Sequence, residues 1–150
     1  MSKTLLYRLF GVGKIPEKIR PILESEGIVV SDEGMGGWYV TRDFTAPGKR
    51  FVNRKEGFSG CLVVTRKRLV CYTYRKRQIS ISVDDPRISA LYVALTGSDM
   101  FSISFESSIF HDGWNGIIEL RFKSEKARQF FDVMRALGVQ QGAAADALQH

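Results

Sequence analysis

Ten basic side chains crowd one stretch of the sequence: Lys49, Arg50, Arg54, Lys55, Arg66, Lys67, Arg68, Arg75, Lys76 and Arg77, with Glu56 the one acid among them. Cations at this density attract anions, whether on nucleic acid, on lipid headgroups or on an acidic protein. The stretch carries +9, the remaining 12 basic and 15 acidic residues carry −3, and the whole chain therefore carries +6. The charge is a local feature on a mildly acidic body.

No other set of reactive residues converges. The two histidines are His111 and His150, so a Ser–His or Cys–His pair would have to use His111, and no run of His and Cys has the spacing of a zinc site. His111-Asp112 reads as a turn feature. Asp84-Asp85-Pro86 reads as a turn opening, because adjacent strand residues point to opposite faces and Asp before Pro favours a turn. Gly11-Val12-Gly13-Lys14 falls short of a phosphate loop: Arg8 stands where the first Gly belongs and Ile15 where Ser or Thr belongs. The expectation is a chain with no catalytic residue, no metal site and no cofactor.

A length of 150 residues suits one hydrophobic core, and 44% hydrophobic with 25% charged residues is a globular composition. Two cysteines, Cys61 and Cys71, are too few for a secreted disulfide framework. With no signal-peptide pattern at the first residues and no apolar run near the roughly 20 residues of a membrane span, the cytoplasm is the expected location. Leu5, Leu6, Leu9 and Phe10 predict a short helix that serves as a docking lead-in, and Ile19, Ile22 and Leu23 predict a second, ended by Gly27. Strands are then expected at residues 27–32 and 37–44, followed by a polar basic connection from Lys49 to Gly57. Residues 58–65 and 69–74 flank Arg66-Lys67-Arg68 as a hairpin. Four further strands alternate cleanly, through Ile79 and Ile81, Leu91 to Leu95, Phe101 to Phe105, and Ile118 to Phe122. The gaps are mostly too short for parallel crossovers, so the sheet should be an antiparallel meander. Ser124 caps a final helix with Ala127, Phe130, Phe131, Met134 and Leu137 on its apolar stripe and Gly138 as its stop. This divides the chain into a helical lead-in at 1–26, a barrel with its helix at 27–138, and a flexible tail at 139–150.

The segment Gly60-Cys61-Leu62-Val63-Val64-Thr65-Arg66-Lys67-Arg68-Leu69-Val70-Cys71-Tyr72 resembles the second hairpin of pleckstrin-homology-like domains, above all the bacterial and GRAM-type versions. The resemblance covers roughly residues 36–138. It implies a mainly β fold: a seven-stranded antiparallel barrel or sandwich capped by the C-terminal helix, here preceded by short helices. Two departures stand out. Phe130 and Phe131 occupy the final helix where many eukaryotic members carry Trp, and Phe58 to Thr65 lacks the basic residues of the phosphoinositide motif.

Strand geometry divides the charge. A six-residue strand such as 69–74 holds its two turns roughly 20 Å apart, about twice a physiological Debye length, so Arg66-Lys67-Arg68 is remote from Arg75-Lys76-Arg77. The Lys49–Gly57 connection enters its strand at the same end as Arg75 to Arg77. Lys49, Arg50, Arg54, Lys55, Arg75, Lys76 and Arg77 are therefore expected to share one anion-facing rim. By the resemblance, anionic headgroups bind this rim in lipid-binding members, and the loop from Ser107 to Asn115 forms its third segment. Within that loop Phe110 and Trp114 either contact a partner or fold back onto the barrel end. The same side chains equally suit a solvated surface that blocks strand pairing. The reading is a non-enzymatic binding module for a protein partner or a second copy of itself, then for anionic membrane headgroups. The alternative is a nucleic-acid-binding protein using residues 49–77. The thiols of Cys61 and Cys71 should face opposite sides of their hairpin, because Val64 opposite Leu69 sets Cys61 opposite Tyr72 and Cys71 opposite Leu62.

Overall fold

The computed structural model describes residues 3–148. Helices α1 (Leu5–Phe10) and α2 (Arg20–Ser25) precede four strands: β1 (Ile28–Ala46), β2 (Lys49–Thr65), β3 (Arg68–Thr73) and β4 (Lys76–Ser82). A 3-10 turn at Pro86–Ala90 leads into β5 (Tyr92–Thr96), β6 (Met100–Glu106) and β7 (Asn115–Lys123). Helix α3 (Ala127–Leu137), β8 (Gln140–Gln141) and α4 (Ala144–Ala147) complete the chain. All strands join one curled sheet in the order β4-β3-β2-β1-β7-β6-β5-β8.

The expected sheet of seven antiparallel strands is corrected to a mixed sheet of eight, because β8 pairs parallel to β5. The additional strand comes from the segment expected to be a flexible tail. Beyond Gly138 the chain runs along the outer edge of β5, and backbone groups there need partners. The Gln140 N–H donates to the Leu91 carbonyl and the Gly142 N–H to the Val93 carbonyl, each at 2.9 Å. Val139 and Ala144 are fully buried, so this segment seals the core. His150 lies outside the described residues.

A second correction concerns the first strands. The two segments expected at 27–32 and 37–44 are one strand, β1, with a register irregularity between Asp32 and Met35. The expected connection from Lys49 to Gly57 is the first half of β2. It pairs back onto β1 from Ala46↔Lys49 through Tyr39↔Glu56, around the Pro47-Gly48 turn. This half of the hairpin reaches past the core and is largely exposed, so its residues show no apolar alternation. At Gly37 the chain passes β7 and β2 too closely for a side chain: a Cβ there would lie 1.9 Å from the Arg121 carbonyl oxygen and 2.7 Å from the Phe58 ring.

The concave face of the sheet holds the main core, which includes Leu62, Leu69, Ile79, Val93, Phe101, Ile103, Ile118 and Phe122. Helix α3 closes it. Ala127, Phe130 and Met134 are fully buried on one helix face, and Gly138 ends the helix at a φ of 107°. Ser124 caps the entry turn: its hydroxyl accepts from the Lys126 N–H at 3.0 Å and donates to Asp32 at 2.6 Å.

A smaller core lies on the convex face. Ile15, Ile19 and Leu23 of the N-terminal segment cover Cys61, Val63, Val70 and Tyr72. The second half of β2 and most of β3 are consequently buried on both sides. The β2–β3 register follows the expected one, with Cys61↔Tyr72 and Leu62↔Cys71, and the two thiols lie in different cores. Burial lifts the Cys61 thiol to about 12 and pushes Cys71 well above its ordinary range, so both stay protonated. Helix α1 is attached through Tyr7 and its N-cap Thr4. The Tyr7 ring covers Gly34, whose φ is 67°, and Thr4 bonds Ser59 at 2.7 Å. Leu5, Leu6, Leu9 and Phe10 remain exposed.

Candidate functional site

Four of the seven expected rim cations come together. Lys49, Arg54, Arg75 and Lys76 line a single cavity of about 520 Å³ at the end of the barrel near the β1–β2 and β3–β4 turns. Arg54 and Arg75, far apart in sequence, thus reach the same space. The other three lie off the cavity, each for its own reason. Lys55 lies on the opposite face of β2 from Arg54, with its ammonium 4.4 Å from the centre of the Trp38 ring. Arg77 sits opposite Tyr72, whose ring packs in the convex core, and therefore projects outward. Arg50 pairs with Thr45 at the hairpin tip and is not part of the cavity lining. Arg66-Lys67-Arg68 at the far turn has a structural function: Arg68 and Thr65 both donate to Glu26 at 2.9 Å, which ties α2 to the hairpin.

The two loop aromatics separate as well. Trp114 lines the cavity, stacks on His111 with ring centres 3.8 Å apart, and meets Phe44 edge-on at 5.3 Å. Phe110 turns inward instead, edge-on to Phe105 at 5.1 Å with Arg87 over its other side, and packs against the main core. Burial, reinforced by the charge of Lys76, holds His111 below its ordinary value, so it is neutral at pH 7.

The cavity has three layers. The cations are exposed at its mouth, with Glu56 paired to Arg54 and the Arg54 guanidinium 4.5 Å from the Phe51 ring centre. Tyr39, Phe44, Phe51, Phe58 and Trp114 form an aromatic wall. Burial and the Glu56 charge push the Tyr39 hydroxyl up to about 12, so it remains a neutral donor. The floor is polar and buried: Thr41, Thr73 and Gln78 are 3%, 4% and 7% exposed. The Gln78 amide donates to the Thr73 hydroxyl at 2.8 Å, whereas the Thr41 hydroxyl has no protein partner.

Sequence reasoning missed the floor and, apart from Trp114, the wall. Tyr39 and Thr41 pair with the core strand β7 next to the open barrel end, whereas Phe51 lies where β2 extends past the core, in a segment that was expected to be a loop. Gln78 is hidden by a bulge. Cys71 faces Ile79 and Tyr72 faces Arg77, so Gln78 is the extra residue, and it is buried next to the buried Ile79. A polar residue followed by the first apolar position of a strand was the available signal.

This arrangement sets four cations at the mouth of a cavity and leaves room behind them. Among the described residues, no group of three or more His, Cys, Asp or Glu side chains could hold a metal ion, and no helix is long and apolar enough to cross a membrane. Compared with models of known protein families and with curated proteins, the sequence matches none.

Proposed function

We propose that this chain is a non-enzymatic binding module of pleckstrin-homology-like type that captures an anionic group of its ligand at the basic mouth of the cavity. The observation that carries this reading is the convergence of Lys49, Arg54, Arg75 and Lys76, from two separate turns, on one cavity. The strand order, with β1 joining the β2–β4 side to the β5–β7 side and α3 closing the core, supports the family assignment. Nucleic acid is less well served. Phe51 is covered by Phe44 on one side and Arg54 on the other, and Trp114 by His111, so the rings that would stack on bases already have partners.

The test compares two equal losses of charge. Inositol hexakisphosphate serves as a compact polyanion in calorimetric titration at low salt. Arg75→Gln with Lys76→Gln, at the mouth, is expected to weaken binding at least tenfold, equivalent to roughly 1.4 kcal/mol. Arg50→Gln with Arg77→Gln, off the cavity, should change it less than threefold. Equal weakening by both pairs would mean general attraction to a basic surface and would remove the site.

A further inference from the structure

Resting on the anion-binding reading above, we infer that the cavity takes a small amphipathic organic anion whose apolar body enters the barrel end, and not only a bare anionic group held at the rim. A compact polyanion would be met at the mouth by Lys49, Arg54, Arg75 and Lys76, yet would leave the aromatic wall and the floor unused. A volume of about 520 Å³ is that of a small-molecule site, and six aromatic side chains line it behind the charged mouth, with Thr41, Thr73 and Gln78 as the polar groups at the floor.

Two observations on the floor point to a ligand that reaches it. Thr41 is 3% exposed, lines the cavity, and has a buried hydroxyl with no hydrogen-bond partner. Buried polar groups are nearly always satisfied, so an unpartnered hydroxyl on a residue that lines a cavity marks a contact a ligand could supply, and because the oxygen itself is out of solvent contact the ligand reaches it by a rotation of the Thr41 side chain. Its direction is fixed by register: Thr41 lies opposite Ile118, a fully buried residue of the concave core. The second observation is the bulge in β4, which turns Gln78 inward and anchors its carboxamide on Thr73. Bulges re-aim side chains at functional sites. The matching ligand has a carboxylate, sulfonate or phosphate at one end, a planar or compact apolar body, and a hydrogen-bonding atom at the other end.

Three probes separate these features: 6-hydroxy-2-naphthoate has the anion, the body and the polar tip; 2-naphthoate lacks the tip; 2-naphthol lacks the anion. In calorimetric titration the hydroxynaphthoate should bind one to one and at least tenfold more tightly than 2-naphthol. Arg75→Gln with Lys76→Gln should remove that advantage. Thr41→Val should abolish the preference for hydroxynaphthoate over naphthoate while leaving naphthoate binding within about twofold, and unchanged inositol hexakisphosphate binding would show that the variant is folded. If inositol hexakisphosphate responds to the mouth variants but the naphthoates bind no better than 2-naphthol, the cavity is a rim site for bare anions and this inference falls while the binding module stands. If neither class of probe responds to the mouth variants, both readings fall. A Thr41→Val effect equal on the two naphthoates would also overturn the role of the floor.

Discussion

Phe101→Ala is expected to lower the melting temperature by roughly 10 °C. Phe101 is fully buried, and its ring stacks on Phe122 at 5.1 Å and on Phe130 at 5.0 Å, while Phe122 meets Phe58 edge-on at 5.3 Å. One side chain therefore links β6 to β7, to β2 through Phe122, and to α3. Truncating a buried Phe to Ala costs about 3–5 kcal/mol, because the transfer free energy is lost and a cavity remains. In a chain of this length each kcal/mol shifts the midpoint by about 2–4 °C. Phe101→Leu keeps most of the volume and should cost less than half as much. Differential scanning calorimetry decides it: a shift below about 3 °C for Phe101→Ala would mean that α3 is not docked through this stack.

Glu33→Ala is expected to release the N-terminal cover without unfolding the barrel. Glu33 accepts from the Ile15 N–H and from Arg20, both at 2.8 Å, and from the Tyr7 hydroxyl at 3.0 Å, so one carboxylate anchors α1, the segment after it and α2. Burial works against its charge, but these donors outweigh burial and hold the carboxyl below its usual value. A group with a lowered folded value stabilises the folded state above its unfolded value, about 4.3 for Glu, and that contribution disappears as pH falls through the folded value. Asp32 behaves likewise: burial opposes its charge, and donation from Lys3, Ser124 and the Glu33 N–H prevails. Loss of several charge-assisted bonds should cost about 2–3 kcal/mol. Cys61 lies beneath the cover and Cys71 in the main core, so thiol labelling separates the two events. With 4,4′-dithiodipyridine at pH 7, Cys61 should react at least tenfold faster in Glu33→Ala, with Cys71 still protected. In the unaltered protein the same selective exposure of Cys61, measured against a free thiol at the same pH, should develop as pH falls below the unfolded carboxylate value and through the lowered folded one. Simultaneous exposure of both thiols would mean that cover and barrel unfold as one unit.

How much of this was legible in the sequence depends on where apolar burial is one-sided. The β2–β3 register could be read residue by residue because Leu62, Val64, Leu69 and Cys71 face one core while a short turn fixes their pairing. Helix α3 could be read because its buried residues recur at helical spacing before a left-handed glycine. The outer half of the β1–β2 hairpin could not, since exposed charged residues carry no period and its pairing is decided by the partner strand. Nor could β8: two glutamines have no strand signal of their own, and they pair because Val139 is buried beside an open edge of β5. The site was half legible for the same reason. Four cations were placed at one end by counting turns, whereas Lys55 needed the alternation of a strand expected to be a loop, Arg50 its place at the hairpin tip, and Arg77 the bulge in β4. The floor needed a bulge.

The pairing of β1 with β7 has a kinetic consequence. Tyr39 lies opposite Leu120, so this seam closes a loop on the order of 80 residues, at an entropic cost of roughly 4 kcal/mol beyond the constant term. The hairpins β1–β2, β2–β3 and β3–β4 need only short loops and can form before that seam does. An early intermediate of this kind would bring Lys49, Arg54, Arg75 and Lys76 near one another, but Trp114, in the loop leading into β7, would still be missing. The complete cavity therefore requires the long-range β1–β7 seam, and any ligand that needs its wall stabilises only chains in which that seam has formed.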